Sequence, residues 1–318
     1  MRILLTGATG YIGLAVLEGL VRAGHHVTGL ARGAEKARIV STRGGHPLIG
    51  DLSDPPSYRE AVSSEDGVVH AGFESSARGP AVDRTAIETM VAALRAANRA
   101  PGGAPRFLIY TSGIWVLGPA TVAAAEDAPV NPVSLVSWRP AHERLVLDAA
   151  ADGLRTIVVR PGIVYGGGGG IVGAVIKDAA NGIVRIIGTG ENRWPAVFDR
   201  DLADLYVRLA GRANAGGIYH ACDESDERVN DIVGAIAAEM RVAPEIRRMP
   251  LEEARSKMGA YADALALDQL VRCPRAHVLG WTPTMHGISR NAARLVEEWR
   301  NANLVTDEHD AGARQPAR

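Results

Sequence analysis

Short hydrophobic runs alternate with longer amphipathic stretches along the first half of the chain. Five runs bounded by glycine or polar residues predict β-strands: RILLTG (2–7), HVTGLA (26–31), DGVVHAG (66–72), RFLIYTSG (106–113) and RTIVVRPG (155–162). The segments between them, such as VDRTAIETMVAALRAANRA (82–100), have helical periodicity. Strands rich in Val, Ile and Leu that are separated by helices predict a doubly wound α/β fold, a parallel sheet covered by helices on both faces.

The pattern is less regular after residue 166. The five-glycine run 166–170 predicts a flexible lip over a substrate cleft, because glycine tracts do not hold a rigid element unaided. We expect loop-rich sequence to follow the next helix as far as Trp194. The remaining predicted elements are a helix at 171–182, a helix at 201–211, a strand at 217–223 and a helix near 230–240.

Composition and charge favour a small-molecule ligand. Of 318 residues, 47% are hydrophobic and 22% charged, which is typical of a soluble globular protein. The net charge of −1 gives no field to recruit nucleic acid or a membrane, and we find no apolar run of signal-peptide or membrane-spanning length. Cys222 and Cys273 lack disulfide-framework or metal-ligand spacing, so we expect no metal site and a cytoplasmic location. A homodimer is left open.

The segment TGATGYIG (6–13) carries the first chemical signal. Gly7 would allow a tight turn, Gly10 would let a diphosphate approach the backbone, and Gly13 would let the following helix pack closely on the sheet. A glycine-rich turn without a ligand is the alternative, but the position after the first predicted strand favours a dinucleotide site. The predicted cofactor-binding residues of this turn are Gly7, Thr9, Gly10, Tyr11, Ile12 and Gly13.

The end of the second predicted strand bears on the choice between NAD and NADP. A carboxylate there would bind the ribose 2′-hydroxyl of NAD, whereas a basic residue accommodates the 2′-phosphate of NADP. The strand ends at Ala31 and is followed by Arg32, with Glu35 as a nearby rival and a solvated surface charge as the alternative for Arg32. We therefore predict NADP, with NAD as the second choice.

Six segments together resemble an extended short-chain dehydrogenase/reductase of the NAD-dependent epimerase/dehydratase type: TGATGYIG, GDLSD (50–54), VVHAG (68–72), YTSGIWVLG (110–118), VVRPGIVYG (158–166) and LGWTP (279–283). The resemblance spans residues 1–300. It implies adenine contacts from Asp51 and Leu52. It also implies cofactor contacts from Ala71 and Gly72, and a nicotinamide flanked by Pro161 and Gly162.

The resemblance also implies a division of the chain. An NAD(P)-binding Rossmann domain would comprise residues 1–166, with 197–223 packing back on it. A smaller substrate-binding domain would comprise 167–196 and 224–300, and the polar end 301–318 is predicted to be frayed. In such relatives an Arg contacts the substrate in the stretch that contains Arg193 and Trp194, so we predict that both bind substrate, with an interdomain packing loop as the alternative. Tyr165 is a further predicted substrate-binding residue because of its place after the strand, although the resemblance implies a structural role for it.

The catalytic pattern of this family is missing. Its members use a Tyr-x-x-x-Lys pair with a Ser or Thr, but SLVSWRPAHERLVLDAA (134–150) contains no tyrosine. One alignment puts Leu135 and Arg139 at the two positions, and another puts Trp138 and His142 there. The family's serine position falls on Gly113.

Three residues are candidates to replace the missing pair. His142 could act as an acid near neutral pH, Arg139 could anchor an anionic substrate or the cofactor ribose, and Ser112 could donate to a substrate carbonyl. The alternative for His142 and Arg139 is that they form a polar helix face, and the alternative for Ser112 is that it stabilises a backbone turn. Two functions follow: an NAD(P)-dependent oxidoreductase or epimerase with a non-standard site, or a cofactor-binding regulator or redox sensor without turnover.

Overall fold

A computed structural model describes residues 1–98 and 105–312 of the protein. It contains thirteen β-strands within these residues. In chain order they are β1 Arg2–Thr6, β2 His26–Ala31, β3 His46–Ile49, β4 Gly67–His70, β5 Phe107–Thr111, β6 Ala120–Ala124, β7 Arg155–Pro161, β8 Ile163–Tyr165, β9 Ile183–Ile187, β10 Ala196–Phe198, β11 Gly217–Ala221, β12 Glu245–Met249 and β13 Gln269–Val271.

The helices follow the same numbering. They are α1 Tyr11–Arg22, α2 Ala34–Thr42, α3 Pro56–Ser64, α4 Gly79–Asn98, α5 Arg139–Asp148, α6 Gly170–Ala180, α7 Asp199–Gly211, α8 Val229–Met240, α9 Leu251–Met258, α10 Tyr261–Leu265, α11 Pro274–Val278 and α12 Ala292–Gly312. Most of the first half alternates strand and helix, as the hydrophobic pattern predicts.

A seven-stranded parallel sheet with the order β11-β7-β5-β4-β1-β2-β3 forms the centre of the molecule. The predicted doubly wound α/β fold is confirmed. Strand order reverses between β1 and β4, and in open α/β sheets ligands bind at the carboxyl ends of the strands beside such a reversal. The predicted glycine turn follows β1 directly, at this edge.

Alternation along β1 shows why the sheet needs helices on both faces. Ile3 and Leu5 pack into the core formed with Leu17 of α1 and Leu205 of α7. Leu4, which points the other way, packs into the core formed with α3, α4 and α5. Because all three side chains are fully buried, neither face of this strand tolerates solvent.

The second half differs from the sequence expectation in one clear respect. The sequence predicts loops in the segment before Trp194, but β9 lies within it and pairs in parallel with β12. Four of its five residues are Ile or Val, which is a strand signal, so the expectation of loops was wrong for this segment. A separate core that includes Trp194, Phe198 and Ile232 forms around α6, α8 and α12.

The end of the chain is helical further than the pattern suggests. Helix α12 continues to Gly312, into the segment predicted to be frayed, while 313–318 lie outside the described residues. Within 1–98 and 105–312, no helix combines the length and apolar character needed to cross a membrane.

Candidate functional site

The glycine turn after β1 leaves the first turn of α1 open to a ligand. Helix α1 begins at Tyr11, and no side chain caps its amino end at Gly10. Gly7 has φ +68°, and a Cβ there would lie 2.7 Å from the carbonyl oxygen of Ala71. A Cβ on Gly13 would lie 2.0 Å from the carbonyl oxygen of Gly7, so the helix packs on the turn only with glycine there. Uncapped backbone N–H groups beside a bare turn suit a diphosphate.

A second polar group lies at the ends of β2 and β3. Asp51 Oδ1 accepts hydrogen bonds from the backbone N–H and the hydroxyl of Ser53, at 2.8 and 2.7 Å. These bonds, together with the positive charges of Arg32 and Arg78, hold the pKa of the Asp51 carboxyl below its usual range. Leu52 packs against Gly72, where a Cβ would lie 2.8 Å from Leu52 Cδ1. The neighbourhood therefore combines two carboxylates, Asp51 and Glu74, with two guanidinium groups, and Arg78 donates to Glu74 Oε1 at 2.7 Å.

A cavity of about 650 Å³ lies between the glycine turn and the amino end of α5. Most of its wall is apolar or aromatic. Its lining residues are Tyr11, Ile12, Phe73, Ser75, Ser76, Pro80, Ser112, Gly113, Ile114, Trp115, Leu135, Val136, Trp138, Arg139, Pro161, Gly162, Ile163, Val164, Gly170 and Ile171. The turn that could hold a dinucleotide and the segments expected around nicotinamide thus border one space.

Ser112 is the best-supported polar group in the cavity wall. Its hydroxyl donates to Glu143 Oε1 at 2.5 Å, and both side chains are buried. Arg160 in turn donates to the two oxygens of Glu143, from Nε at 3.0 Å and from Nη2 at 2.5 Å. Two-point pairing with a guanidinium fixes the carboxylate, and the carboxylate fixes the rotamer of Ser112. The lone pairs of Ser112 Oγ are therefore free to accept a hydrogen bond from a ligand.

Arg139 is the only charged residue among those lining the cavity. Nη1 donates to the carbonyl oxygen of Thr111 at 3.0 Å, and the guanidinium carbon lies 4.5 Å from the centre of the Trp138 ring. The Trp138 ring itself stacks on Phe73 at 5.3 Å. No carboxylate of the described chain lies within ion-pair distance of Arg139. Arg139 is the first residue of α5, where a positive charge does not stabilise the helix because it opposes the helix dipole. Its charge is therefore available to bind a ligand.

His142 lies behind this wall rather than in it. The residue is 5% exposed, and Nδ1 lies 2.7 Å from Asp83 Oδ2. Asp83 also accepts from the hydroxyl of Tyr110 at 2.9 Å and faces Nε2 of His70 at 3.2 Å. Burial alone would raise the pKa of the Asp83 carboxyl, but the hydrogen bonds from His142 and His70 outweigh it and hold the pKa well below its usual range. The imidazole ring of His142 makes a T-shaped contact with the Trp138 ring of the wall, with ring centres 4.8 Å apart.

The tyrosines near the cavity are poorly suited to replace a catalytic one. Tyr11 lines the cavity, but its hydroxyl donates to the carbonyl oxygen of Gly166 at 2.8 Å. Burial, with a smaller effect from the Asp199 carboxylate, raises its pKa well above the usual value. Tyr165 is fully buried and donates to Asp223 Oδ2 at 3.0 Å, away from the lining. A catalytic tyrosine needs the opposite shift.

The two other residues predicted to bind substrate also lie outside the lining. Arg193 forms a two-point ion pair with Asp268, from Nε and Nη2 at 2.7 Å each. Trp194 is buried and donates from Nε1 to the carbonyl oxygen of Leu265 at 3.0 Å. The glycine run reaches the cavity at Gly170.

The model of the NAD dependent epimerase/dehydratase family matches residues 3–222. The chain belongs to this family. It is 30% identical, over 75% of its length and 76% of the relative's, to the 2-alkyl-3-oxoalkanoate reductase of Stenotrophomonas maltophilia.

Two solved structures of the family's fold resemble the whole protein. UDP-glucose 4-epimerase of Thermus thermophilus, solved with NAD, has a TM-score of 0.78 and 21% identity, covering 95% of this chain and 100% of its own. The human epimerase family protein SDR39U1, solved with NADPH, has a TM-score of 0.73 and 20% identity, covering 93% and 99%. At these identities the likeness concerns the fold alone.

Set beside the epimerase/dehydratase pattern, the structure distinguishes the two alignments of the α5 region. Leu135 and Arg139, the pair of the first alignment, both line the cavity. In the second alignment Trp138 lines it, but His142 is turned toward Asp83. Both residues of the first alignment therefore border the cavity, and only one residue of the second does.

Sequence reasoning missed the residues that hold this wall from behind. Glu143 follows Arg139 by one helical turn, so its side chain lies on the same face of α5 and was open to prediction from spacing alone. Asp83 lies 59 positions from His142 along the chain, and no local pattern connects them.

Proposed function

We propose that this protein is an NAD(P)-dependent oxidoreductase of the epimerase/dehydratase type that acts on a small metabolite without a Tyr-x-x-x-Lys pair. The observation that carries the proposal is the meeting of Ser112 and Arg139 in one cavity with the uncapped turn at Gly10. The turn suits a dinucleotide, and the two side chains can bind an oxygen at a reacting carbon. A relative named as a reductase, 30% identical, supports oxidoreductase chemistry.

The residues present fit a nicotinamide dinucleotide. The bare turn from Gly7 to Gly13 would hold the diphosphate, and Pro161 with Gly162 would border the nicotinamide. Arg32, which follows β2, would favour the 2′-phosphate of NADP over the hydroxyl of NAD, whereas Arg78 is paired with Glu74 at 2.7 Å. When bound, the cofactor would give or take a hydride at the substrate carbon.

Ser112 and Arg139 would handle the substrate oxygen. In the oxidation direction the substrate hydroxyl would pass its proton to Ser112 Oγ while Ser112 passes its own proton to Glu143 Oε1. In the reduction direction the same two transfers would run in reverse, from a protonated Glu143 to Ser112 and from Ser112 to the substrate oxygen, and the Arg139 cation would stabilise the negative charge that develops there. Arg160 would hold Glu143 in place in both directions.

The catalytic role that the sequence predicts for His142 stays a prediction. Its imidazole is hydrogen-bonded to Asp83 and packs against Trp138, and it does not line the cavity, so our proposal assigns substrate contact to Ser112 and Arg139. A role for His142 through the position of Trp138 is compatible with this arrangement.

The test is cofactor binding followed by turnover. Calorimetry with NADP, NADPH, NAD and NADH on the purified protein should give binding, tighter for the NADP pair. A panel of carbonyl compounds should then give oxidation of NADPH, followed by its absorbance. The proposal is wrong if no nicotinamide dinucleotide binds.

A cofactor-binding regulator without turnover is the second candidate. The observation that favours it is Leu135, which offers no proton at the position of the family's tyrosine. In that case the dinucleotide binds tightly, and neither the carbonyl panel nor sugar nucleotides cause its oxidation or reduction.

A further inference from the structure

The residues that line the cavity indicate which class of substrate the proposed oxidoreductase binds. We infer, on the basis of the function proposed above, that its substrate is an apolar carbonyl compound with an alkyl or aryl body, and not a sugar nucleotide. The inference rests on three observations: the chemistry of the wall, the lack of free cations for a diphosphate, and the grouping of the polar side chains.

The part of the wall away from the glycine turn is apolar. Ile114 and Trp115 follow the strand end that carries Ser112, and Leu135 and Val136 lie on the segment that leads into α5. Ile171 on α6 lines the same cavity. A hexose presents hydroxyl groups in every direction, and each would lose water against such a wall without gaining a partner. Hydrocarbon, in contrast, gains free energy from the same burial.

A nucleoside diphosphate would also need cations that the cavity does not provide. Arg139 is the one charged residue of the lining. Arg193 is held at two points by Asp268, and Arg272 is held by Asp226 with donor–acceptor distances of 2.9 and 2.7 Å. Releasing either guanidinium would leave its carboxylate unpaired, so neither is a ready phosphate ligand.

Two polar side chains of the wall, Ser112 and Arg139, lie together, while Ser75 and Ser76 line the cavity from the segment after β4. Arg139 donates to the carbonyl oxygen of Thr111, the residue before Ser112, so the guanidinium and the hydroxyl belong to one corner of the cavity. Such a corner matches a substrate with one polar end and an apolar body. A sugar ring would require polar partners on several sides.

The inference is tested with a homologous series of ketones. Protein saturated with its preferred reduced cofactor is titrated with 2-butanone, 2-hexanone and 2-octanone, and separately with UDP-glucose, while tryptophan fluorescence and NADPH oxidation are followed. Burial of about 0.8 kcal/mol per CH₂ predicts that affinity and kcat/KM rise by about threefold to fourfold for each added methylene. UDP-glucose should bind more weakly than 2-octanone.

A wall variant and a matched surface variant sharpen the test. Leu135→Gln should weaken binding of 2-octanone by about tenfold or more and leave the dissociation constant of the cofactor unchanged, because an unpartnered amide then faces the alkyl chain. Val122→Gln, at a side chain that is 80% exposed, should change neither constant.

The outcomes separate the inference from the function on which it rests. Absence of cofactor binding in the wild type would reject the proposed function itself. Cofactor binding with no dependence on ketone chain length, with UDP-glucose binding more tightly than 2-octanone, or with a Leu135→Gln variant that binds 2-octanone as well as the wild type, would overturn the inference and leave the dinucleotide site standing.

Discussion

The glycine turn after β1 and the amino end of α5 border the same cavity, yet they relate to their family in opposite ways. The turn keeps Gly7, Gly10 and Gly13 at the spacing of a dinucleotide site. The segment that leads into α5 and the helix itself contain no tyrosine, and Leu135 and Arg139 of this region line the cavity. One end of the site follows the family pattern, and the other departs from it.

The difference follows from the chemical groups that each end uses. A diphosphate is bound by backbone N–H groups, so the turn must only stay free of side chains. Proton transfer and charge stabilisation use side chains, and several side chains can provide them from different positions. The account therefore expects cofactor binding to depend on absent Cβ atoms and turnover to depend on Ser112 and Arg139.

The largest effect is expected at Gly10. Its backbone, with φ −80° and ψ 171°, accepts any residue, and a Cβ would meet only the carbonyl oxygen of Gly7 at 3.2 Å. Gly10→Val should therefore fold but lose cofactor affinity by about a hundredfold or more, because the side chain occupies the space over the turn. Calorimetry measures the loss. Gly234→Val, at an exposed glycine in α8 with open space around it, is the control and should bind cofactor normally. Equal cofactor affinity in both variants would contradict the assignment of the diphosphate site to the glycine turn.

Ser112→Ala is expected to have the next largest effect. Loss of an oxyanion donor costs about 10²–10³ in kcat, and the fold should survive because Glu143 keeps both hydrogen bonds from Arg160. Steady-state kinetics with the best ketone substrate should show the fall with an unchanged cofactor dissociation constant. Ser137→Ala, at an exposed serine whose hydroxyl donates to the carbonyl oxygen of Ser134, should leave kcat unaltered. A Ser112→Ala variant with wild-type kcat would exclude Ser112 from the chemistry.

His142→Ala separates the two alignments of α5. Our placement predicts a stability loss of about 1–3 kcal/mol, because Asp83 loses a buried hydrogen bond, with kcat changed by less than about threefold. Thermal unfolding and kinetics on the same preparation measure both quantities. A fall in kcat of about 10²–10⁴ would instead support the imidazole acid predicted from sequence.

The smallest effect is expected at Asp199, beside the glycine run. Burial raises the pKa of its carboxyl to about 6, and Oδ1 has no hydrogen-bond partner in the part of the chain that the structure describes. Between the unfolded value of about 4 and this folded value, the folded protein binds the extra proton, so stability falls as pH rises through that window. Asp199→Asn should therefore stabilise by about 1 kcal/mol at neutral pH and by almost nothing at a pH of about 4.

Chemical denaturation of Asp199→Asn at the two pH values is the measurement. Glu60→Gln removes an exposed carboxylate from α3 and serves as the control for the change in net charge. The same stabilisation in both variants, at both pH values, would contradict the assignment to Asp199.

Most of the central sheet could be predicted from local sequence patterns. Buried strands such as β1 and β7 are continuous apolar runs, and the turn at Gly7 has a spacing that only a backbone-binding site requires. Strand β9 could have been predicted, because four of its five residues are Ile or Val, but its pairing with β12, which lies far along the chain, could not. Pairing between distant segments leaves no periodic signal in either segment.

The same limit applies to side chains. Asp83 meets His142, and Cys222 meets Cys273 with 3.1 Å between sulfur atoms, only after the chain has folded. The sequence could nominate His142 for its chemistry, but its burial against Asp83 required the structure. Ser112 was likewise predicted from its position after a strand, and its hydrogen bond to Glu143 could be identified only from the structure.

The central claim is that the glycine turn binds the cofactor as in the family, while Ser112 and Arg139 bind the substrate oxygen, and a crystal structure with NADP⁺ and the best ketone substrate bound tests it most directly. The account predicts the diphosphate on the N–H groups of the first turn of α1, the nicotinamide beside Pro161, and Ser112 Oγ within reach of a ligand oxygen bonded to the carbon next to nicotinamide C4. His142 should still contact Asp83. A nicotinamide away from Ser112, or a His142 ring turned into the cavity against the cofactor, would contradict it.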